Sequence, residues 1–288
     1  MPDSNQLART WQSMPPYGWR TTGLAYSENE AVQLAAFLSV DLDGVSIEHG
    51  LGVQAIGQHS LGRYTYDWGL PRILRLFRVE QIAATFFVPG YEAILHPTMI
   101  EDIAAEGHEI AGHGWQHEDP PTDLASERRN MEQTRAALRR VSGQLVIGWR
   151  CPNGRKTNHT NSLLRAVGFQ YDSSEKDRSR PYTMTVDTSK LIELPTNIQV
   201  LDDAALNADQ MLPPRELSKV WEREADISYE RSHYLPLIIH PRALWGSCTA
   251  SRIRAIESLI HHLKSKAGVR FVTGSELSAV EGPRFENA

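Results

Sequence analysis

The chain has 288 residues, 41% hydrophobic and 23% charged, with a net charge of −5 from 30 basic and 35 acidic side chains. This is ordinary globular composition, which excludes whole-chain disorder and allows one large domain or two small ones with a core that needs no staples. No basic block interleaves with aromatics, no apolar run reaches the roughly 18 residues of a membrane span, and two cysteines, Cys151 and Cys248, make no disulfide framework. The expected partners therefore include neither nucleic acid nor membrane.

Residues 1–33 read as an extended arm containing Pro15, Pro16 and tryptophan, with no apolar centre of a secretory signal, and a cytoplasmic location is the expectation. Residues 34–288 read as a single unit. Ala36–Val40 is a buried strand, followed by a long loop rich in Gly, His and Tyr. Leu70–Val79 has apolar residues at helical spacing, Ala83–Val88 is strand-like, and Pro97–Glu106 is a helix with proline in its first turn and Gly107 at its stop. The alternation continues. His108–Ala111, Leu145–Trp149, Phe169–Asp172, Leu191–Leu194, His233–His240 and Val269–Thr273 read as strands. Asp123–Val141, His159–Val167, Pro214–Ser228 and Ser251–Lys266 read as helices. Strands alternating with helices of about 10–15 residues predict an α/β fold with a mostly parallel sheet, and about seven such units favour a barrel.

In a parallel barrel the chemistry sits where strands end. After the first strand come Asp41 and Asp43, which project to one side by the two-residue period. Two such carboxylates repel unless a cation or base lies between them; a loop-capping pair is the bland alternative. After the third apolar segment, His113 and His117 are four residues apart, as on one face of a helical turn. Two histidines and a carboxylate make a three-ligand metal site with open positions, against the alternative of two unrelated histidines. Arg150 then precedes a Cys151-Pro152-Asn153-Gly154 turn. The guanidinium suits a carboxylate, and the turn's N–H groups suit an oxyanion. Finally His240 ends the apolar strand Leu237–Ile239, where an imidazole can protonate a leaving nitrogen.

These motifs, in this order, resemble the NodB-homology polysaccharide deacetylases (carbohydrate esterase family 4). The matching text is Val40-Asp41-Leu42-Asp43-Gly44, His113 to His117, Arg150 to Gly154, Tyr171-Asp172-Ser173-Ser174 and Ile239-His240-Pro241. Connecting stretches match as well, at Val79 to Gly90 with Ala84-Thr85-Phe86-Phe87-Val88-Pro89-Gly90, and at Glu106-Gly107-His108-Glu109-Ile110. The phrasing is similar to a branch holding intracellular peptidoglycan-deacetylase-like, cyclic-imide-hydrolase-like and allantoinase-like proteins. The resemblance implies a distorted (β/α) barrel of seven or eight strands, with the N-terminal arm packed on a neighbour in a homotetramer. It implies Asp43, His113 and His117 as ligands of a divalent metal, zinc first, with Co²⁺, Mn²⁺ or Fe²⁺ as alternatives. It gives His240 as general acid, Arg150 as the residue that orients the base, and Asn153 as the backbone N–H facing the oxyanion. Asp172 and Asp177 fall in the motif that supports the acid. Many members have adjacent aspartates, and Leu42 stands where the base is expected, so Asp41 takes that role.

The expected activity is metal-dependent hydrolysis of a non-peptide C–N bond in a small amide, a cyclic imide or an N-acetylated sugar. Trp68, Trp115, Leu201 and Trp245 are candidate pocket walls, with core packing equally open for each. Three other readings stand beside this one. They are an N-deacetylase acting on a peptidoglycan- or chitin-type glycan, a 2-His-1-carboxylate Fe(II) oxygenase, and a non-catalytic binding protein on the same fold.

Overall fold

The computed structural model describes residues 32–121, 123–196, 201–204 and 212–279. All but the last two residues of the predicted arm at 1–33 lie outside the described residues.

In chain order the elements are β1 (Leu34–Asp41), α1 (Ser46–Gly50), α2 (Leu70–Glu80), β2 (Thr85–Val88), α3 (Glu92–Leu95), α4 (Pro97–Ala105) and β3 (Glu109–Gly112). Then come α5 (Leu124–Ser142), β4 (Gly148–Trp149), α6 (Thr160–Val167), β5 (Tyr171–Asp172), β6 (Tyr182–Val186) and β7 (Ser189–Glu193). The chain continues through α7 (Pro214–Ile227), β8 (Tyr234–Ile239), α8 (Ile253–Lys264), β9 (Val269–Phe271) and α9 (Gly274–Ala279). The strands form one sheet in the order β6–β7–β5–β4–β3–β2–β1–β8, with β9 on the first half of β1. Every pairing is parallel except the β6–β7 hairpin. At the far edge of β8 the Leu201–Asp202 backbone pairs in turn, with Ile238 N donating to Leu201 O at 2.8 Å. The expected distorted α/β barrel is the observed one.

Local rules explain the elements. In α8, Ile256, Leu259, Ile260 and Leu263 recur at three- and four-residue spacing and are all buried, so one face packs inward. In α5, Asp123 Oδ1 caps the helix by accepting from Ser126 N at 2.8 Å, and Gly143 ends it at φ 70°. The predicted helices and strands stand within a few residues of their observed bounds. The β6–β7 hairpin is an addition: the sequence yielded only Leu191–Leu194 there. The loop after β1 also contains α1 and the irregular turns through Gly69.

Alternation along β1 separates two cores. Ala36, Leu38 and Val40 face the helices, and Ala35 and Phe37 face the barrel interior. Inside, Phe37 stacks on Tyr234 at 6.4 Å and meets Phe87 edge-on at 6.5 Å, and Phe87 meets Tyr171 at 6.5 Å. This aromatic layer fills the barrel and leaves Ser39 and Asp41, next on the same face, as its polar upper rim. Gly148 is needed beside it, because a Cβ there would collide with the Tyr171 ring. Gly148→Ala is expected to destabilise by about 1–3 kcal/mol through overpacking, read as a lowered Tm; an unchanged Tm would contradict the packing described.

Candidate active site

Four strand ends build the site. Asp41 is the last residue of β1 and Asp43 stands two beyond it; His113 follows β3, Arg150 follows β4 and His240 follows β8. All of them line one cavity of about 290 Å³ at the C-terminal rim of the sheet, together with His117, Asn153 and Trp245.

His113 Nε2 and His117 Nε2 each lie 3.6 Å from Asp43 Oδ1. That is too long for a hydrogen bond, and Asp43 Oδ1 is buried with no hydrogen-bond partner among the described residues. Atoms about 2.0–2.1 Å from one zinc ion at the tetrahedral angle stand about 3.4 Å apart. The orphaned oxygen and its two imidazole neighbours therefore suit a shared cation. His113 Nδ1 lies 2.8 Å from Arg150 O, so it donates there and Nε2 keeps its lone pair for the centre. Burial lowers the pKa of both imidazoles, that of His117 to about 4, so neither is charged at neutral pH. Burial also raises Asp43, and the nearby His240 and His113 only partly offset it.

The helical-turn reading of the His113–His117 spacing is corrected. The segment is an irregular loop, with positive φ at Gly114 (73°) and His117 (56°). Glu118 holds it by accepting from the backbone N–H groups of Trp115 and Gln116 and from Asn130 Nδ2. A left-handed histidine is uncommon enough to be a constraint the loop imposes.

Asp41 lies beside Arg150 and His113. Arg150 Nη1 donates to Asp41 Oδ1 and to Ser39 Oγ, Nε donates to Ser173 O at 3.1 Å, and Nη2 to Ser173 Oγ at 2.9 Å. Its guanidinium lies 3.9 Å from the Phe87 ring centroid, so the aromatic layer supports it from below. Burial alone would raise Asp41, but Arg150, His113 and His240 together hold its carboxyl below the usual range. Asp41 Oδ2 is 3.8 Å from His113 Nε2 and 3.9 Å from His240 Nε2, which places it between the metal-suited triad and the imidazole opposite.

His240 has a partner the sequence reading missed. Its Nδ1 lies 2.6 Å from Asp203 Oδ1, and its backbone N–H also donates to Asp203, as does that of Ser247. Burial opposes the imidazolium, yet the Asp203 charge and hydrogen bond raise the pKa well above the usual histidine value. Asp202, Asp203 and His240 also cluster closely enough to hold an ion, but Asp203 is already satisfied by N–H donors. Asp172 and Asp177, expected behind the acid, are elsewhere. Asp172 accepts from Ser174 Oγ and Lys156 Nζ, and Ser174 Oγ in turn accepts from Cys151 N, bracing the turn after Arg150. Asp177 is exposed and accepts from Tyr182 Oη. Asn153 takes a left-handed φ of 54° in that turn.

Of the expected pocket walls, only Trp245 lines the cavity. Trp68 is 56% exposed beside Arg72, Trp115 packs edge-on against Tyr91, and Leu201 is buried at the β8 edge. Lys176 and Thr196 line the wall and had no place in the sequence reading.

Known proteins resemble this chain in sequence and in fold. The family model described as Polysaccharide deacetylase matches residues 63–171. A chitooligosaccharide deacetylase of Sinorhizobium fredii is 30% identical over 51% of this chain and 68% of its own length. The peptidoglycan deacetylase of Helicobacter pylori is 26% identical over 86% of this chain and 96% of its own. Among solved structures, the allantoinase PuuE has the same fold, with a TM-score of 0.78 at 21% identity over 93% of this chain and 94% of its own. No described helix is long and apolar enough to cross a membrane.

Proposed function

Because the chain belongs to the polysaccharide deacetylase family, hydrolases of carbon–nitrogen bonds other than peptide bonds, we propose that it is a metal-dependent amidohydrolase. Its substrate in this reading is a small amide, a cyclic imide or an N-acetylated sugar. The observation that carries it is the orphaned Asp43 oxygen between two neutral imidazoles, within one cavity of a carboxylate and an imidazolium.

Asp43, His113 and His117 would hold the divalent ion, with zinc first by ligand type. When bound, the ion supplies Lewis acidity that polarises the scissile carbonyl and makes water a nucleophile near neutral pH. The chain's own groups handle the protons. Asp41, kept ionised and aimed by Arg150, accepts the proton of the attacking water. The Asn153 N–H donates to the carbonyl oxygen as it becomes anionic. His240, kept protonated by Asp203, donates from Nε2 to the departing nitrogen. The products are a carboxylic acid and an amine, or, from a cyclic imide, one ring-opened molecule that carries a carboxylic acid and an amide.

The cavity volume of about 290 Å³ supports a small substrate. The named relatives favour a second reading, an N-deacetylase of a glycan chain. Zinc-loaded and chelator-stripped protein should be offered N-acetylglucosamine, its oligomers, small acetamides and cyclic imides, with released amine or acetate, or the ring-opened half-amide, measured. Hydrolysis only in the loaded protein is expected. Hydrolysis that survives complete stripping, or none on any substrate, would contradict the proposal.

A further inference from the structure

Most charged side chains of the cavity wall have their partners inside the protein. Arg150 is occupied by Asp41, Ser39 and Ser173. The His240 charge is met by Asp203, with Asp202 Oδ1 3.9 Å from the same nitrogen. Lys176 differs. Its Nζ makes one hydrogen bond, to Ser174 O at 3.0 Å, and no ion pair among the described residues. Lys176 is exposed, so of its three ammonium donors two face solvent at the cavity mouth, where a ligand can take them. The side chain lies over the Asn153–Gly154 turn, where a methyl added to Gly154 would collide with Nζ.

Beside it is a second unpaired group. Thr196 is 3% exposed, lines the same cavity, and its hydroxyl has no hydrogen-bond partner among the described residues. Thr196 N donates to Glu175 O at 2.8 Å, which fixes Thr196 against the residue that precedes Lys176. Buried hydroxyls are rarely left unpaired, and an oxygen of a ligand brought into the cavity beside Lys176 would give this one a partner. An ammonium offers donors only, and a hydroxyl can add another. An acceptor-only group with two oxygens and a negative charge suits both.

We propose that Lys176 and Thr196 form the specificity end of the pocket, and that the substrate carries a carboxylate there, on the same molecule as the amide that is cleaved. This rests on the metal-dependent amidohydrolase reading and narrows its substrate class. Lys176 and Thr196 then bind the part of the substrate that does not react. Their loss should separate carboxylated from neutral ligands and not weaken the two equally.

The test uses the full chain loaded with zinc and a series of simple hydroxamates, which chelate the ion without being turned over. Acetohydroxamate is compared with the monohydroxamates of malonic, succinic and glutaric acids, with Kd read by calorimetry. At least one carboxylated member should bind about tenfold tighter or more than acetohydroxamate, as a charge-assisted contact gives. That ratio should fall to near one in Lys176→Met, fall severalfold in Thr196→Val, and be partly restored in Lys176→Arg. Equal binding of all four compounds by the unaltered chain, or a ratio that survives Lys176→Met, overturns the inference and leaves the metal site standing. If no hydroxamate binds, the metal reading fails and this inference fails with it, so the two failures are told apart.

Discussion

Asp41→Asn is expected to lower kcat by about 10²–10⁴ while the bound ion stays in place, the range for loss of a positioned general base. The amide keeps the shape and leaves Ser39 and Ser173 to hold Arg150. It removes the acceptor for the water's proton and the charge beside His113 and His240. Metal content and Tm of the variant check that the site is still assembled. A variant with full metal and near-normal kcat would remove Asp41 from the role of base. Loss of metal together with activity would move Asp41 into the ligand set, where its 3.8 Å approach to His113 makes it the neighbouring carboxylate.

The second large effect is on the pH profile. His240 is buried, which by itself would lower its pKa, and Asp203 reverses that to a value above the usual one. The proton-donating form is present below that raised pKa and lost as pH rises through it. Asp203→Asn removes the opposing charge, so burial governs and the pKa falls. The alkaline limb of kcat/KM should therefore move to lower pH, with a loss at pH 8 of about tenfold or more and a smaller loss on the acid side. An alkaline limb that does not move would show that Asp203 holds the loop and leaves the acid untuned. His240→Asn should abolish the limb altogether.

Much of this was legible in the sequence because strand ends are local features. The apolar run before Asp41 and Asp43, the run before His240, and the Pro-Asn-Gly turn after Arg150 each mark where a strand stops, and a parallel barrel collects those stops on one rim. The missed parts are nonlocal or irregular. Asp203 lies 37 residues from His240, in a segment with no periodicity, and the pairing of Leu201–Asp202 with β8 brings them together. Asp172 and Asp177 were nearer to a familiar motif, but Lys156, Ser174 and Tyr182 occupy them. The β6–β7 hairpin was hidden because its two-residue turn, Asp187-Thr188, lacks the glycine that signals such turns, Asp187 itself taking φ 52°. The loop that carries His117 brings His113 and His117 to one cavity by another route than the expected helical turn, since positive φ angles and Glu118 shape it.

The most direct test of the whole account is metal stoichiometry by elemental analysis after dialysis against limiting zinc, for the unaltered chain, His113→Ala and Asp43→Asn, with hydrolysis measured on the same samples. One ion per chain is predicted for the unaltered protein, and loss of both ion and hydrolysis in each variant. Hydrolysis by His113→Ala without bound metal would contradict it.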